Sequence, residues 1–313
     1  MSATASTRQP ITLELMGGST RRHRKERLVR VLFLSAAVLG LVISIAIVLA
    51  LAGRAIQWLV DIDLGWLWTE GWIPRSDEFD VLTIFAGTVM IAVIAMLVAT
   101  PLGLGAAAYL SEYATPRTRR TLKPILETLA SIPSVVLGYF ALQVINPELV
   151  QKLFSSAGTF NFLAAGIAVG ILTIPLVASV AEDAMHAVPN ALCEAAYGIG
   201  ARRKTVTTHV VFPAAVSGIV ASLILGFSRA VGETMVVAIA AGATGSALRT
   251  FNPLERGQTM TGAISSLAIG SDRVRGSGFA FDSLFFVGLM LFVMTFLLNV
   301  ISERFVRRVR SRY

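Results

Sequence analysis

The sequence predicts an all-α integral membrane protein with six transmembrane helices and both termini on the cytoplasmic side. Three observations predict it. The 313 residues are 55% hydrophobic and only 15% charged, with a mean hydropathy of +0.71. Six apolar runs approach or exceed the roughly 20 residues that a helix needs to cross a bilayer. The 27 Lys and Arg residues alternate with these runs: 19 lie in the two tails and in the loops after the second and fourth runs, and seven lie in the opposite loops. Basic loops stay in the cytoplasm. Each run must be helical, because lipid offers backbone amides and carbonyls no other partner and no strand alternation appears.

Residues 1–28 are polar and basic without an apolar period, which predicts a mobile cytoplasmic tail. Residues 29–80 hold the first span, Val31–Ala52, and an external loop. Ala50-Leu51-Ala52 mimics a signal-peptidase site, but the 22-residue run is longer than a usual signal core, so a retained anchor is expected. The loop from Asp61 to Asp80 carries six acids with Trp66, Trp68 and Trp72, and is expected to lie on the membrane with its tryptophans among headgroups. The second run, Val81–Leu110, contains Pro101 followed by Gly103 and Gly105, which permit a kink and close helix approach. The third, Thr128–Ile145, contains Pro133, and the fourth, Phe160–Ala181, contains Pro175. These prolines are the hinge candidates of a bundle that moves. The fifth run is Ala214–Ala241 and the sixth Ser283–Ile301, so residues 81–303 form one bundle, followed by a basic tail, 304–313.

Several chemistries are excluded. Cys193 is the only cysteine, so there is no internal disulfide, and its basic loop places it on the reducing side. His23, His186 and His209 lie apart, so no metal cluster is expected. No Gly-x4-Gly-Lys loop, Ser/His/Asp set or paired-carboxylate site stands out, so the chain has no catalytic residue and binds no cofactor of its own. The basic residues flank membrane spans rather than forming an aromatic-interleaved face, which indicates membrane lipid and not nucleic acid. Energy for any transport comes from a partner or an ion gradient.

Inside the fifth run stands "SRAVGET", Ser228–Thr234, with the one basic residue outside both flanking zones, Arg229. An arginine within a span costs about 2.5–3.5 kcal/mol even on the lenient insertion scale, so it must face protein, water or ligand. Arg229 and Glu233 are four apart, on one face of the fifth helix, and Gly232 between them allows close approach of another helix. The pair could neutralise itself and pin neighbouring helices. Alternatively, the Arg229 guanidinium binds a passing oxyanion. Glu233 then either accepts a hydrogen bond from an anion that still carries a proton, as phosphate does and sulfate does not, or holds Arg229 until the anion displaces it.

The stretch 182–213 is long for a connector. Asn190 can cap a short helix, Gly200 can supply a left-handed turn, and a second short helix leads to Pro213. Its Glu194-Ala195-Ala196, three residues, Gly200, nine residues, Val210, one residue, Phe212-Pro213 resembles the EAA signature of ABC-importer permeases, with Val and Phe in place of Ile and Leu. Together with "ATPLGLGAAAYLSEYA", "IPSVVLGYFAL", "DAMHAVP" and "SRAVGETMVV", it makes residues 81–241 similar to the phosphate-specific permeases of the PstC type; His186 and Cys193 stand where those commonly have arginine. The resemblance implies a type I ABC-importer bundle whose EAA loop, 190–213, docks an ATPase through Glu194, Ala195, Ala196, Gly200 and Pro213. It also implies a homologous PstA-type permease subunit, an ATPase dimer that holds ATP and Mg, and an external phosphate-binding protein. Inorganic phosphate would pass Arg229, Glu233 and Thr234 in the cytoplasmic membrane of a prokaryote. A sulfate-type ABC permease would share the EAA loop. A gradient-driven transporter or intramembrane enzyme leaves its spacing unexplained.

Overall fold

Apolar runs that must satisfy their own backbone hydrogen bonds leave little besides helix. The computed structural model describes residues 20–68, 71–242, 247–269 and 278–310, and the chain divides into two units, residues 1–50 and 51–313. Helix α1, Thr20–Asp61, starts inside the expected basic tail, so residues 20–28 are helical, while 1–19 lie outside the described residues. In the first unit its apolar side chains are exposed, Phe33 at 73% and Leu34 at 61%, as suits a lipid-facing helix.

In the second unit the last turns of α1 bury Ala55 and Trp58, and Ile62 just after the helix is buried as well. The loop that follows does not simply lie on the membrane. Strand β1, Gly71–Ile73, pairs antiparallel with β2, Glu78–Phe79, and with β3, Ala247–Leu248. Trp72, opposite Phe79 in the ladder, is fully buried and meets it edge-on at 5.7 Å, and Phe79 in turn meets Trp58 at 5.2 Å. Strand alternation points Trp72 inward, so a headgroup position holds at most for the exposed Trp66 and Trp68.

Helix α2, Val81–Ala108, is capped by the Asp80 carboxylate and runs on through a π-helical turn to Tyr113. Helix α3, Pro116–Leu129, is polar and amphipathic; α4, Ser134–Phe140, continues through π-helical turns into α5, Gln151–Leu153. The expected third span is therefore a broken one, bent by 84° between Leu129 and Ser134, and with it the five long apolar helices among the described residues make six. Pro133 sits at the bend: it lacks an amide hydrogen and disfavours helical geometry at Ile132.

Helix α6 covers Phe162–His186. In α7, Asn190–Gly198, the N-cap position belongs to Pro189, and Asn190 is the first helical residue rather than the cap. The expected separate helix before Pro213 is instead the start of the fifth span: α8, Arg203–Val206, passes through a π-helical turn, Thr207–Val211, into α9, Phe212–Val231. The widened turn accommodates the missing donor of Pro213. This span ends at Val231, ten residues short of the expected Ala241, and α10, Met235–Val237, follows the break. Helix α11, Met260–Ile269, was not anticipated, and α12, Gly278–Arg310, extends through most of the expected C-terminal tail. Residues 311–313 and the external-loop Arg273 and Arg275 lie outside the described residues.

Helices α2, α6 and α9 pack through small residues. A Cβ on Gly170 would stand 2.8 Å from Ala95 O, one on Gly218 2.3 Å from Ala184 Cβ, and one on Gly103 2.9 Å from Val177 Cγ1. Such backbone proximity is what small residues supply where lipid removes the hydrophobic drive between helices. Gly105 has nothing within 4 Å. Pro101 and Pro175 lie within uninterrupted α2 and α6.

Candidate functional site

Arg229 occupies the last turn of α9, where Gly232 caps the helix with φ −84° and ψ −3° and donates to Ser228 O at 3.2 Å. Glu233 therefore lies beyond the helix and does not share a helical face with Arg229. Its carboxylate turns to the next element, with Oε1 accepting from Val236 N at 3.3 Å in the first turn of α10, while Thr234 takes the N-cap position. Glu233 and Thr234 are half-buried, and Arg229 is exposed and joins none of the ion pairs among the described residues. Among the described residues no second helix approaches Gly232; a Cβ there would meet Ser228 O at 3.6 Å and Arg229 O at 3.7 Å.

A broken helix frees backbone groups that need partners. The Glu233 carbonyl accepts from Thr261 Oγ1 at 2.8 Å, Thr261 Oγ1 lies 3.0 Å from Thr259 Oγ1, and Met260 N donates to Thr88 Oγ1 at 2.9 Å. All three threonines are buried. Sequence reasoning missed this hydroxyl segment; its signal was the run Gly257-Gln258-Thr259-Met260-Thr261-Gly262, small and polar just before an apolar stretch. From the break, Met235–Gly242 leads to a cavity of about 950 Å³ lined by Thr159, Gly242, Arg249, Thr250, Glu255 and Arg256. Arg249 Nε donates to the buried Asp80 carboxylate at 2.9 Å. Glu255 is held below the usual carboxylate range by hydrogen bonds from the Thr250 hydroxyl and the Asn252 amide.

At the basic end of the bundle, α7 exposes Glu194 and Ala195 together with Leu192 at 48% and Tyr197 at 44%, and its C-cap Ile199 is 88% exposed. Its other side, Cys193 and Ala196, packs on a cluster containing Ala107, Met185, Val206 and Val211. Gly200 adopts φ +84°, the left-handed turn its position predicted, with its N–H on Tyr197 O at 2.9 Å. Pro213 is half-buried in the continuous fifth span. Burial pushes the Cys193 thiol up, with smaller contributions from the Glu112 and Glu194 carboxylates. Nearby Glu182 is fully buried and pairs with Arg119 and with Lys123 Nζ at 2.7 Å; Lys123 also reaches Asp183 at 2.7 Å. The sequence showed this only as an acid pair after one apolar run and a basic loop after another.

Residues 99–312 match the family described as binding-protein-dependent transport system inner membrane component. The chain belongs to that family. It is 33% identical over 297 residues to the phosphate transport system permease protein PstC of Mesorhizobium japonicum, covering 89% of each chain. It is 30% identical to the Pasteurella multocida protein of the same name, over 79% of this chain and 80% of that one. The permease also shares its fold with a chain of a bacterial alginate ABC transporter in complex with its pentasaccharide-bound periplasmic protein, at TM-score 0.62 and 15% identity over 92% and 97% of the two chains. A chain of the inward-facing MetNI methionine ABC transporter aligns at TM-score 0.54 and 20% identity, over 71% and 93%. The architecture is that of an ABC-importer permease, a transport component.

Proposed function

We propose that this permease forms part of the pathway for inorganic phosphate in an ATP-driven importer of a prokaryotic cytoplasmic membrane. One observation carries the reading: Arg229 ends a span, exposed and without an ion pair among the described residues, beside a break in the helix. A cation in such a place needs a ligand, water or a second subunit, and broken helices are where transporters build substrate sites. Its planar fork suits phosphate oxygens. Glu233 and Thr234 follow within five residues, and Glu233 favours an anion that retains a proton over sulfate. The names of the relatives agree with phosphate.

The assembly we propose comprises a PstA-type permease subunit, two ATPase subunits that hold ATP and Mg, and an external phosphate-binding protein. The bundle core of residues 81–303 docks the ATPase through the EAA loop, where Leu192, Tyr197 and Ile199 form an exposed apolar knob around Glu194. Docking of the binding protein and ATP opens the pathway outward, and phosphate passes Arg229 as the bundle rocks back, with Pro101, Pro133 and Pro175 as flex points.

Reconstitution of the assembled transporter with Arg229→Ala tests the reading. Loss of a charge-assisted contact of ~1.5–3 kcal/mol predicts a fall in uptake of roughly ten- to a hundred-fold. Intact uptake with normal ATPase association would overturn the anion site. Glu233→Gln should raise inhibition by sulfate relative to phosphate, and Glu194→Lys should reduce ATPase copurification.

A further inference from the structure

We propose that Glu182 is a positioning residue that makes the ATPase-docking face and helix α3, the first arm of the broken third span, move as one body. The proposal rests on reading α7 as the dock. Helix α7 follows α6 after three residues, and the linker is hydrogen-bonded to the turn that carries the acids: Ala187 N donates to Asp183 O at 3.1 Å and Val188 N to Met185 O at 3.2 Å. Glu182, on that turn, is fully buried yet paired with two cations of a different helix, hydrogen-bonded to Lys123 and in an ion pair with Arg119 of α3. Asp183 shares Lys123, and Arg119 Nη1 also reaches His186 Nε2 at 3.1 Å.

From this latch the contacts continue to the pathway. Helix α3 bends by 84° into α4. On α4, a Cβ at Gly138 would fall 3.0 Å from Val236 Cα and 3.2 Å from Ile239 Cβ, so α4 lies directly on the segment whose Val236 N–H donates to the Glu233 carboxylate. Apolar contacts between helices can slide with little change in energy. A desolvated carboxylate with two cations cannot, because any displacement leaves it unpaired. A shift of α7 therefore drags α3, and the α3–α4 elbow carries it to Val236 and Glu233.

The test uses the complete transporter in liposomes and reads phosphate uptake per ATP hydrolysed. Glu182→Gln should keep ATPase copurification and hydrolysis within about twofold while uptake per ATP falls roughly tenfold, the scale of a typical coupling between sites. Arg119→Gln with Lys123→Gln should give the same fall, and adding Glu182→Gln should not deepen it, since all three act through one network. Glu127→Gln, exposed on the same helix, should leave the ratio unchanged. An unaltered ratio in the latch variants, or a proportional loss of hydrolysis and uptake, would overturn the proposal in favour of a purely structural ion cluster. If Glu182→Gln fails to accumulate, the Arg119/Lys123 variant decides alone. The docking reading fails separately, if Glu194→Lys copurifies with undiminished ATPase.

Discussion

Replacing Gly87 by Ala should loosen the segment that supports the helix break. Gly87 lies buried on α2, and a Cβ there would stand 2.3 Å from Gln258 O and 3.1 Å from the Phe162 ring. Comfortable approach is about 3.5 Å, so the Gln258–Gly262 segment must retreat by about 1 Å. That stretches Met260 N to Thr88 Oγ1, now 2.9 Å, beyond hydrogen-bond range and strains Thr261 on Glu233 O. Overpacking costs about 1–3 kcal/mol, and a buried donor left unpaired a further ~1–3 kcal/mol. Better helix propensity returns at most ~1 kcal/mol. The net destabilisation is roughly 1–5 kcal/mol. Gly105→Ala on the same helix meets nothing within 4 Å, so it keeps only the propensity gain. Thermal unfolding in nanodiscs, followed through tryptophan fluorescence, should place the Gly87→Ala midpoint several degrees below wild type and Gly105→Ala at or above it. Equal midpoints for the two variants would refute the argument that Gln258–Gly262 is wedged against α2.

Three further predictions follow from local geometry. Gly200→Ala has open surroundings but φ +84°, so it should cost ~1–2 kcal/mol of backbone strain and weaken ATPase copurification, with Gly200→Asn milder. Asp80→Ala removes the cap of α2 and leaves Arg249 without that carboxylate; a loss near 3 kcal/mol is expected, and an Asp80→Ala/Arg249→Ala double-mutant cycle should show less than the sum of the singles. Burial and then Glu112 and Glu194 disfavour the Cys193 thiolate, so maleimide labelling should stay slow at neutral pH and accelerate only above the ordinary thiol value of 9.0; Glu112→Gln should move that rise to lower pH.

The long spans and the left-handed turn at Gly200 were legible because lipid imposes one solution on an apolar run and a glycine between two helical stretches marks a turn. The break at Gly232 was not, and the elbow was legible only in part. Glycine is common inside membrane helices, so Gly232 gave no sign that α9 would stop there, and a spacing of four fits an unbroken face as well as a helix end followed by a capping carboxylate. Pro133 did mark the elbow, but Pro116–Leu129, with its four basic residues, reads as loop, and it buries none of them. Thr259 and Thr261 lie in a long connector whose return to Glu233 depends on tertiary packing alone. Trp72 was misplaced for a related reason: a three-residue strand is too short for its alternation to be seen.

The charges in the bundle obey two opposite rules, and the contrast bears on which of them face a ligand. Glu182 and Asp80 are fully buried, and each carries its counter-charge within the chain, Glu182 from Arg119 and Lys123 and Asp80 from Arg249. Removing one partner from such a set is expensive because the remaining charge stays desolvated, so these groups bind elements together and cannot readily exchange partners with a passing ion. Arg229 is the reverse case: its neighbour in sequence, Glu233, is spent on Val236 N, and the guanidinium remains exposed at the end of a span. A structural ion pair would have placed Glu233 one turn further along an unbroken α9. The break at Gly232 turns the two charges to different elements, which leaves the guanidinium outside the ion pairs among the described residues, as the proposed anion site requires.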